Sequence, residues 1–298
     1  MVDPNNFNQL PSELNQLPRG LAHLPKEVVV QIAKDLCPYD NPHEAGVNLA
    51  HLKGTNREMH DKLFEHSEIG NFDTRLSNLV TLQRVLCEKV LPDLSDNTPE
   101  ASRKLATLQI PAIQPVFKFY SSSEQSDIVN YMMSTDDRFN RTVAAVALST
   151  NLNDVHEPSD RRRIINQALD SFADGDPSIR ENGARAVARV EGHLDTTQRE
   201  RFYGMLGGNF EIIEQYSQLK KEQIAWYLDE RVQLPSQNLD RTIGTIGRRL
   251  QGLPTEISTP EQAVAAHHVA KLITETYNCA HNELMNFGRS RKRSSLDR

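Results

Sequence analysis

The sequence feature that most constrains the fold is a helical spacing of apolar residues that recurs along almost the whole chain. From Lys26 onward, apolar side chains return every three or four positions in nearly every segment. Prolines and glycines separate these segments, as they separate successive helices. No long segment alternates apolar and polar residues in the manner of a half-buried strand, and the sequence therefore predicts an all-α protein.

Two of these segments share one construction, which indicates a repeat. In 174–190, Asp176 stands where its side chain can cap a helix, and Pro177 occupies the first helical position. Gly183 lies among alanines, and such small residues allow two helices to approach closely. In 134–152, Asp137 begins a comparable order of residues, 39 positions before Asp176. We expect each segment to pair with the helical segment before it.

The segment 174–190 resembles the second helix of a HEAT repeat. The resemblance implies a short HEAT- or armadillo-like α-solenoid over 72–287, built from four or five helical pairs, in which Arg180 reaches an acidic residue of the next repeat. An array of this kind presents an extended concave surface to a protein partner. The alternative is a helical bundle without repeats.

A separate unit is predicted near the start of the chain, where a Leu-Pro pair precedes an amphipathic helix. Pro25 sits where a helix tolerates a missing N–H group, and aliphatic residues from Val28 to Leu36 then cover one broad face. The same pattern is also typical of an ordinary amphipathic helix that caps a helical array.

Two more short helices are expected after this one, around 45–52 and 57–64. Gly54 is expected to end the first of them in a left-handed conformation, and the second is expected to bury Met59 and Leu63. Three short helices bury little surface by themselves, so the unit is expected to lean on a partner or on a neighbouring domain.

The residues LPKEVVVQIAKDL, followed by NLAHLKGTNREMHDKL, resemble an F-box over 21–66. An F-box is a three-helix module that docks on the Skp-type adaptor of cullin-based ubiquitin ligases. By this resemblance, some of the aliphatic residues enter the adaptor groove and the others build the core of the module. The residues that the resemblance assigns to the adaptor contact are Leu24, Pro25, Glu27, Val28, Val29, Ile32 and Leu36.

Residues suited to catalysis do not form a recognisable set. His267 and His268 are adjacent and so point to different helix faces, and no metal-ligand spacing follows them. Cys87 lies among aliphatic residues and is expected to be a buried thiol. No phosphate-cradling glycine motif occurs. We therefore expect no metal, no cofactor and no catalysis, with an enzyme that uses one of the thiols as a further alternative.

Composition limits the partners and the compartment. The net charge is −6 with both signs interspersed, which argues against nucleic acid as a partner. No apolar run approaches the length of a membrane span, and the first residues lack the pattern of a secretory signal peptide. The three cysteines have unrelated spacings, which indicates free thiols in a reducing compartment. The expected location is cytosol or nucleus.

The two ends of the chain differ from the rest. Residues 1–20 are polar and contain three prolines, which predicts a disordered arm. Residues 288–298 are predicted to form a basic, disordered tail. The basic cluster in this tail is Arg289, Arg291, Lys292 and Arg293. Such a cluster is either a nuclear import address or part of a solvated terminus.

Together these features predict a non-catalytic adaptor that docks on a Skp-type protein and holds an unknown target protein on its helical repeats. Tethering of this kind acts by proximity, because it raises the effective concentration of target lysines near the transferring enzyme. The polar arm before the F-box is similar to the type III F-box effectors of plant-pathogenic bacteria, which implies secretion into a host cell. The alternative is a helical scaffold unconnected with ubiquitin.

Overall fold

The computed structural model describes residues 24–55, 57–65, 68–91, 96, 98–207, 213–214, 216–221 and 238–294, with side chains up to 286. All regular structure in these residues is helical, which confirms the predicted all-α class. The helices are α1 Lys26–Asp35, α2 Pro42–Gly54, α3 Arg57–Phe64, α4 Glu68–Val90, α5 Pro99–Lys104, α6 Ile110–Ile113, α7 Ser122–Met133, α8 Arg138–Ser149, α9 Pro158–Phe172, α10 Pro177–Val190, α11 Thr196–Leu206, α12 Leu239–Gln251 and α13 Pro260–Ser294.

The segment 99–119 is one continuous but bent helical stretch, here called the bent segment. It passes from α5 through a π-helical turn, Leu105–Gln109, into α6 and then into a 3₁₀ stretch, Gln114–Phe119. The cause lies in Pro111 and Pro115, which lack the N–H group that an α-helix pairs with the carbonyl four residues earlier. The bends therefore follow from the sequence IPAIQP.

The helices α7 to α11, here called the helical stack, contain the two predicted pairs. In the described residues α8 packs against α9 and α10, and α7 packs against α8 and α9. Asp137 caps α8 and Asp176 caps α10, each accepting the backbone N–H groups two and three residues later. The shared construction predicted for these two segments is confirmed, and the fold is compatible with helical repeats.

Arginines join the two pairs in a way that differs from the prediction for Arg180. Its Nη1 donates to the backbone carbonyl of Asp174, 3.3 Å away in its own pair, and Arg141 does the same to Thr135 at 2.6 Å. Side chains in a helix lean toward its N-terminus, so an arginine in the first turn covers the preceding loop. The ion pair between the pairs comes from Arg138, whose Nη1 lies 3.1 Å from the Asp174 carboxylate.

The last two helices close back on the first part of the chain. α13 packs along α4 and along the bent segment, and α12 packs against α4 and α13. Arg75 of α4 forms ion pairs with Asp240 of α12 and Glu283 of α13, at 3.1 and 3.0 Å. The backbone N–H of Ile257 donates to the carbonyl of Lys89 at 3.2 Å. In the structure, α12 and α13 therefore cover α4 instead of extending the stack by further pairs.

α2 differs from its prediction at both ends. It begins at Pro42 instead of near Ala45, because Asn41 caps it by accepting the backbone N–H of Glu44. Gly54 is the last helical residue and does not adopt a left-handed conformation, so that expectation was wrong. Asn41, in the loop before the helix, thus sets where α2 begins.

The ends of the chain lie mostly outside the described part. The arm 1–20 is not described, and neither are the side chains of 287–298, which include Arg289, Arg291, Lys292 and Arg293. The backbone of α13 is helical through Ser294. The boundary placed at 287/288 from the sequence therefore falls inside a helix.

Gly183 gives a direct test of how closely the helices of the second pair approach. A Cβ atom at Gly183 would lie 2.3 Å from the backbone nitrogen of Phe172 in α9. We expect Gly183→Ala to destabilise the protein by about 1–3 kcal/mol in urea unfolding, since the two backbones must separate.

Gly244 is the matched control, because it lies exposed in α12 with open space around the position of its missing Cβ. Gly244→Ala should raise the unfolding free energy by up to about 1 kcal/mol, the ordinary helix-propensity gain. A neutral or stabilising effect of Gly183→Ala would contradict the close packing of α9 on α10.

Candidate docking surface

The helix α1 divides into a buried face and a surface face. Val29 and Ala33 have no exposed area, whereas Pro25 and Glu27 are exposed and Val28 is 43% exposed. The helix begins directly after Pro25, whose carbonyl accepts the N–H groups of Val28 and Val29 at 3.0 and 3.1 Å. The sequence suggested that Pro25 is the first residue of the helix. In the structure it is the residue before the helix.

The predicted contact residues separate into an inner and an outer group. Leu24, Val28, Ile32 and Leu36 follow one another at four-residue intervals, which places them along one side of the chain. Leu24 and Leu36 pack in part against the core, and Ile32 is half-buried. Val29 serves the interior of the protein, so an apolar strip centred on Val28 and Ile32 is what α1 presents to solvent.

Helices α1 to α3, here called the docking module, rest on α4. All three pack against α4, and α3 also packs against α1 and α2. The side chains that form the inner face of the module are Val29, Ala33, Leu49, Met59 and Leu63. The predicted burial of Met59 and Leu63 is confirmed, and α4 is the neighbouring element on which the short helices depend.

The loop between α1 and α2 is held by the far end of the chain. The Tyr277 hydroxyl donates to the carbonyl of Pro38, and His281 Nε2 donates to the carbonyl of Cys37, both at 3.0 Å. The His281 ring also meets the Tyr39 ring edge-on, with centroids 5.1 Å apart. Because α13 fixes this loop, the orientation of α1 depends on the C-terminal helix.

Cys37 and Cys87 are buried, which disfavours nucleophilic chemistry at their thiols. Burial, with a smaller effect from Asp73, raises the pKa of Cys37 to about 12, and burial raises the pKa of Cys87 to about 12. Cys87 lies on the wall of an open cleft of about 310 Å³, where its sulfur contacts Tyr120 and Gln83. Both thiols are protonated at neutral pH, so the expected buried character of Cys87 is confirmed.

Other chemical features of the described residues have structural roles. His267 Nδ1 donates to the carbonyl of Pro111 at 2.8 Å, which makes it a packing residue of α13. No group of three or more acidic, cysteine or histidine side chains in the described part could hold a metal ion. Within the same residues, none of the helices combines the length and apolar character needed to cross a bilayer.

Comparison with known proteins finds no matching family model, no matching curated protein and no matching solved structure. The partly exposed apolar strip of α1 is the main candidate for a binding surface in the described residues.

Tyr277 tests whether α13 fixes the loop after α1. Tyr277→Phe removes the hydroxyl that donates to Pro38 and should cost about 1 kcal/mol of unfolding free energy. Hydrogen exchange of the amides in 36–41 should also become faster. Tyr203→Phe is the control, because Tyr203 is 56% exposed and its replacement should leave both measurements unchanged. Unaltered exchange in Tyr277→Phe would contradict the anchoring role.

The thiols give a second test, by reaction with a disulfide reagent at pH 8. Cys279 is partly exposed and should react first, while Cys37 and Cys87 should react only after unfolding. In the folded protein the raised pKa keeps both thiols protonated up to about pH 12, so their labelling without denaturant should stay slow at pH 8. Rapid labelling of Cys87 in the folded protein at pH 8 would revive a catalytic role for this thiol.

Proposed function

We propose that this chain is a substrate-recruiting adaptor of the F-box type. In this proposal the start of α1 docks on the Skp-type adaptor of a cullin-based ubiquitin ligase, and the helical stack holds a target protein. The observation that carries the proposal is the partly exposed apolar strip of α1, with Pro25 and Val28 at the surface beside a fully buried Val29. The Leu-Pro opening thus leads into a strip that the chain itself leaves uncovered.

The strip has the anatomy of the centre of a protein interface. The exposed Val28 and the half-buried Ile32 are bordered in α1 by exposed polar residues, namely Lys26, Glu27, Gln31 and Asp35. A partner that covers the strip removes apolar surface from water, while the polar rim sets orientation and speeds association. A specific interface buries roughly 800 Å² on each partner, so residues beyond α1 must also take part.

The arrangement of helices supports action by proximity. The docking module packs on α4, α4 and the bent segment pack on α13, and the bent segment packs on α8 of the stack. Gln114 of the bent segment donates to the carbonyl of Ala147 in α8 at 2.6 Å. A target held on the stack would therefore keep a defined distance from the ligase, which raises the effective concentration of its lysines.

Exposed aromatic residues on the stack are the natural anchors for a target. Phe139 at the start of α8 is 40% exposed and Tyr203 of α11 is 56% exposed. Aromatic side chains that a partner can bury dominate the energetics of many interfaces. We place target binding on this part of the chain.

The proposed setting follows from the resemblance to bacterial F-box effectors. The protein would act in host cytoplasm or nucleus, the arm 1–20 would carry the secretion signal, and the basic cluster at 289–293 would serve nuclear import. The second candidate function is a helical scaffold without ubiquitin chemistry. It is favoured by Val29, Leu24 and Leu36, which all contribute to the interior of this chain.

Binding to a purified Skp-type adaptor, measured by calorimetry, tests the proposal. The double variant Pro25→Ala/Val28→Glu places a charge at the centre of the strip and should weaken binding at least about tenfold. The fold should persist, because Val28 lies exposed in the first turn, where an acidic residue favours the helix.

Val264→Glu is the matched control, since Val264 is an exposed valine on α13, away from the strip, and is 56% exposed. It should bind like the wild type. Equal binding by the double variant, or no binding by the wild-type protein, leaves the scaffold as the better account.

A further inference from the structure

The lysines of this chain are distributed unevenly. The sequence contains 11 lysines, and none lies between Lys118 and Lys220. The same span contains ten arginines, so basic residues as such are not missing from it. This span includes the whole helical stack, the part on which we place the target.

Half of these arginines have an architectural explanation. Five of them donate from the guanidinium to backbone carbonyls and so tie helices to loops or to neighbouring helices. They are Arg141, Arg161, Arg180, Arg189 and Arg199. The planar guanidinium directs several donors in a fixed geometry, which a lysine ammonium does not reproduce.

Three exposed arginines of the stack lack such an explanation. Arg185 pairs with Glu181 one turn earlier, at 2.6 Å, with 48% of its side chain exposed, and Arg201 pairs with Asp170 at 2.5 Å with 41% exposed. Arg162 is also exposed. Lysine serves as well as arginine in exposed ion pairs of this kind. Packing therefore does not account for the absence of lysine at these positions.

Ubiquitin transfer distinguishes the two residue types by their chemistry. The neutral ε-amine of a lysine attacks the thioester carbonyl that joins ubiquitin to the transferring enzyme. An isopeptide bond forms, the thiolate leaves, and the nitrogen releases its proton. A guanidinium stays protonated and offers no such nucleophile.

We propose that the arginine-only surface of the helical stack lies within reach of the transferring enzyme and is kept free of ubiquitin acceptors. Ubiquitin then passes to lysines of the held target and not to the protein that holds it. This inference rests on the proposed adaptor function and adds to it a device that protects the adaptor from its own ligase.

Three of the lysines outside the span are consistent with this arrangement. Lys89 donates to the carbonyls of Leu253 and Pro254, and Lys104 pairs with Glu256, so both are engaged where α4 and the bent segment meet the α12–α13 loop. Lys26 lies on α1, where the docked Skp-type adaptor would cover it. The amines of these three lysines are therefore engaged or covered in the assembled ligase.

The test uses the full chain with a purified Skp-type adaptor, cullin, RING protein, ubiquitin and the activating and conjugating enzymes. The triple variant Arg162→Lys/Arg185→Lys/Arg201→Lys keeps the charge and introduces three amines. Mass spectrometry should detect new ubiquitin linkages at these positions, and total ubiquitin on the chain should rise. The matched control, with glutamine at the same three positions, should show no rise.

Two different failures can be told apart. If the adaptor binds and other lysines of the chain accept ubiquitin, but the three new ones do not although they react with an amine-specific ester, the stack is out of reach and the inference is wrong. If the wild-type chain does not bind the adaptor, the proposed function fails, and the inference fails with it.

Discussion

The interaction on which the rest of the structure depends is the packing of α13 against the bent segment and α4. In an α-helix, the carbonyl of Pro111 would pair with the N–H of residue 115, which is itself a proline and has none. His267 of α13 donates to that carbonyl, and Thr274, two turns later, donates to the carbonyl of Pro115. A carbonyl left without a partner away from water is costly, and Pro115 thus creates at Pro111 an acceptor that a distant helix satisfies.

The same helix determines the position of the candidate docking surface. Beyond Thr274, α13 reaches the loop after α1, where Tyr277 and His281 bond the carbonyls of Pro38 and Cys37. One continuous helix thus contacts the bent segment, α4 and the loop of the docking module. Since the bent segment also packs on α8, the docking module and the helical stack are joined through packed helices and not through a linker.

Features that depend on residues close together in the sequence could be predicted. Contacts between residues far apart in the sequence could not. The caps Asp137 and Asp176 and the close approach at Gly183 depend on residues within one helical pair, so their spacing reveals them. The return of α13 depends on hydrogen bonds between residues more than 150 positions apart, such as His267 and Pro111, which have no local pattern. The two prolines of IPAIQP, four positions apart, were the available signal, since they imply carbonyls that need outside donors.

In the candidate docking surface, the sequence likewise could not show which of two neighbouring residues is buried. Val28 and Val29 are neighbours in a run of three valines, and apolar spacing alone assigns both to one broad face. Successive helical residues are about 100° apart, so the positions of α3 and α4, which both pack on α1, decide which valine is buried. Val29 has no exposed area, whereas Val28 is 43% exposed. A helix that builds the core with one valine and leaves the next in solvent ties its exposed strip to the fold, because loss of the α3 and α4 contacts would turn both faces toward water.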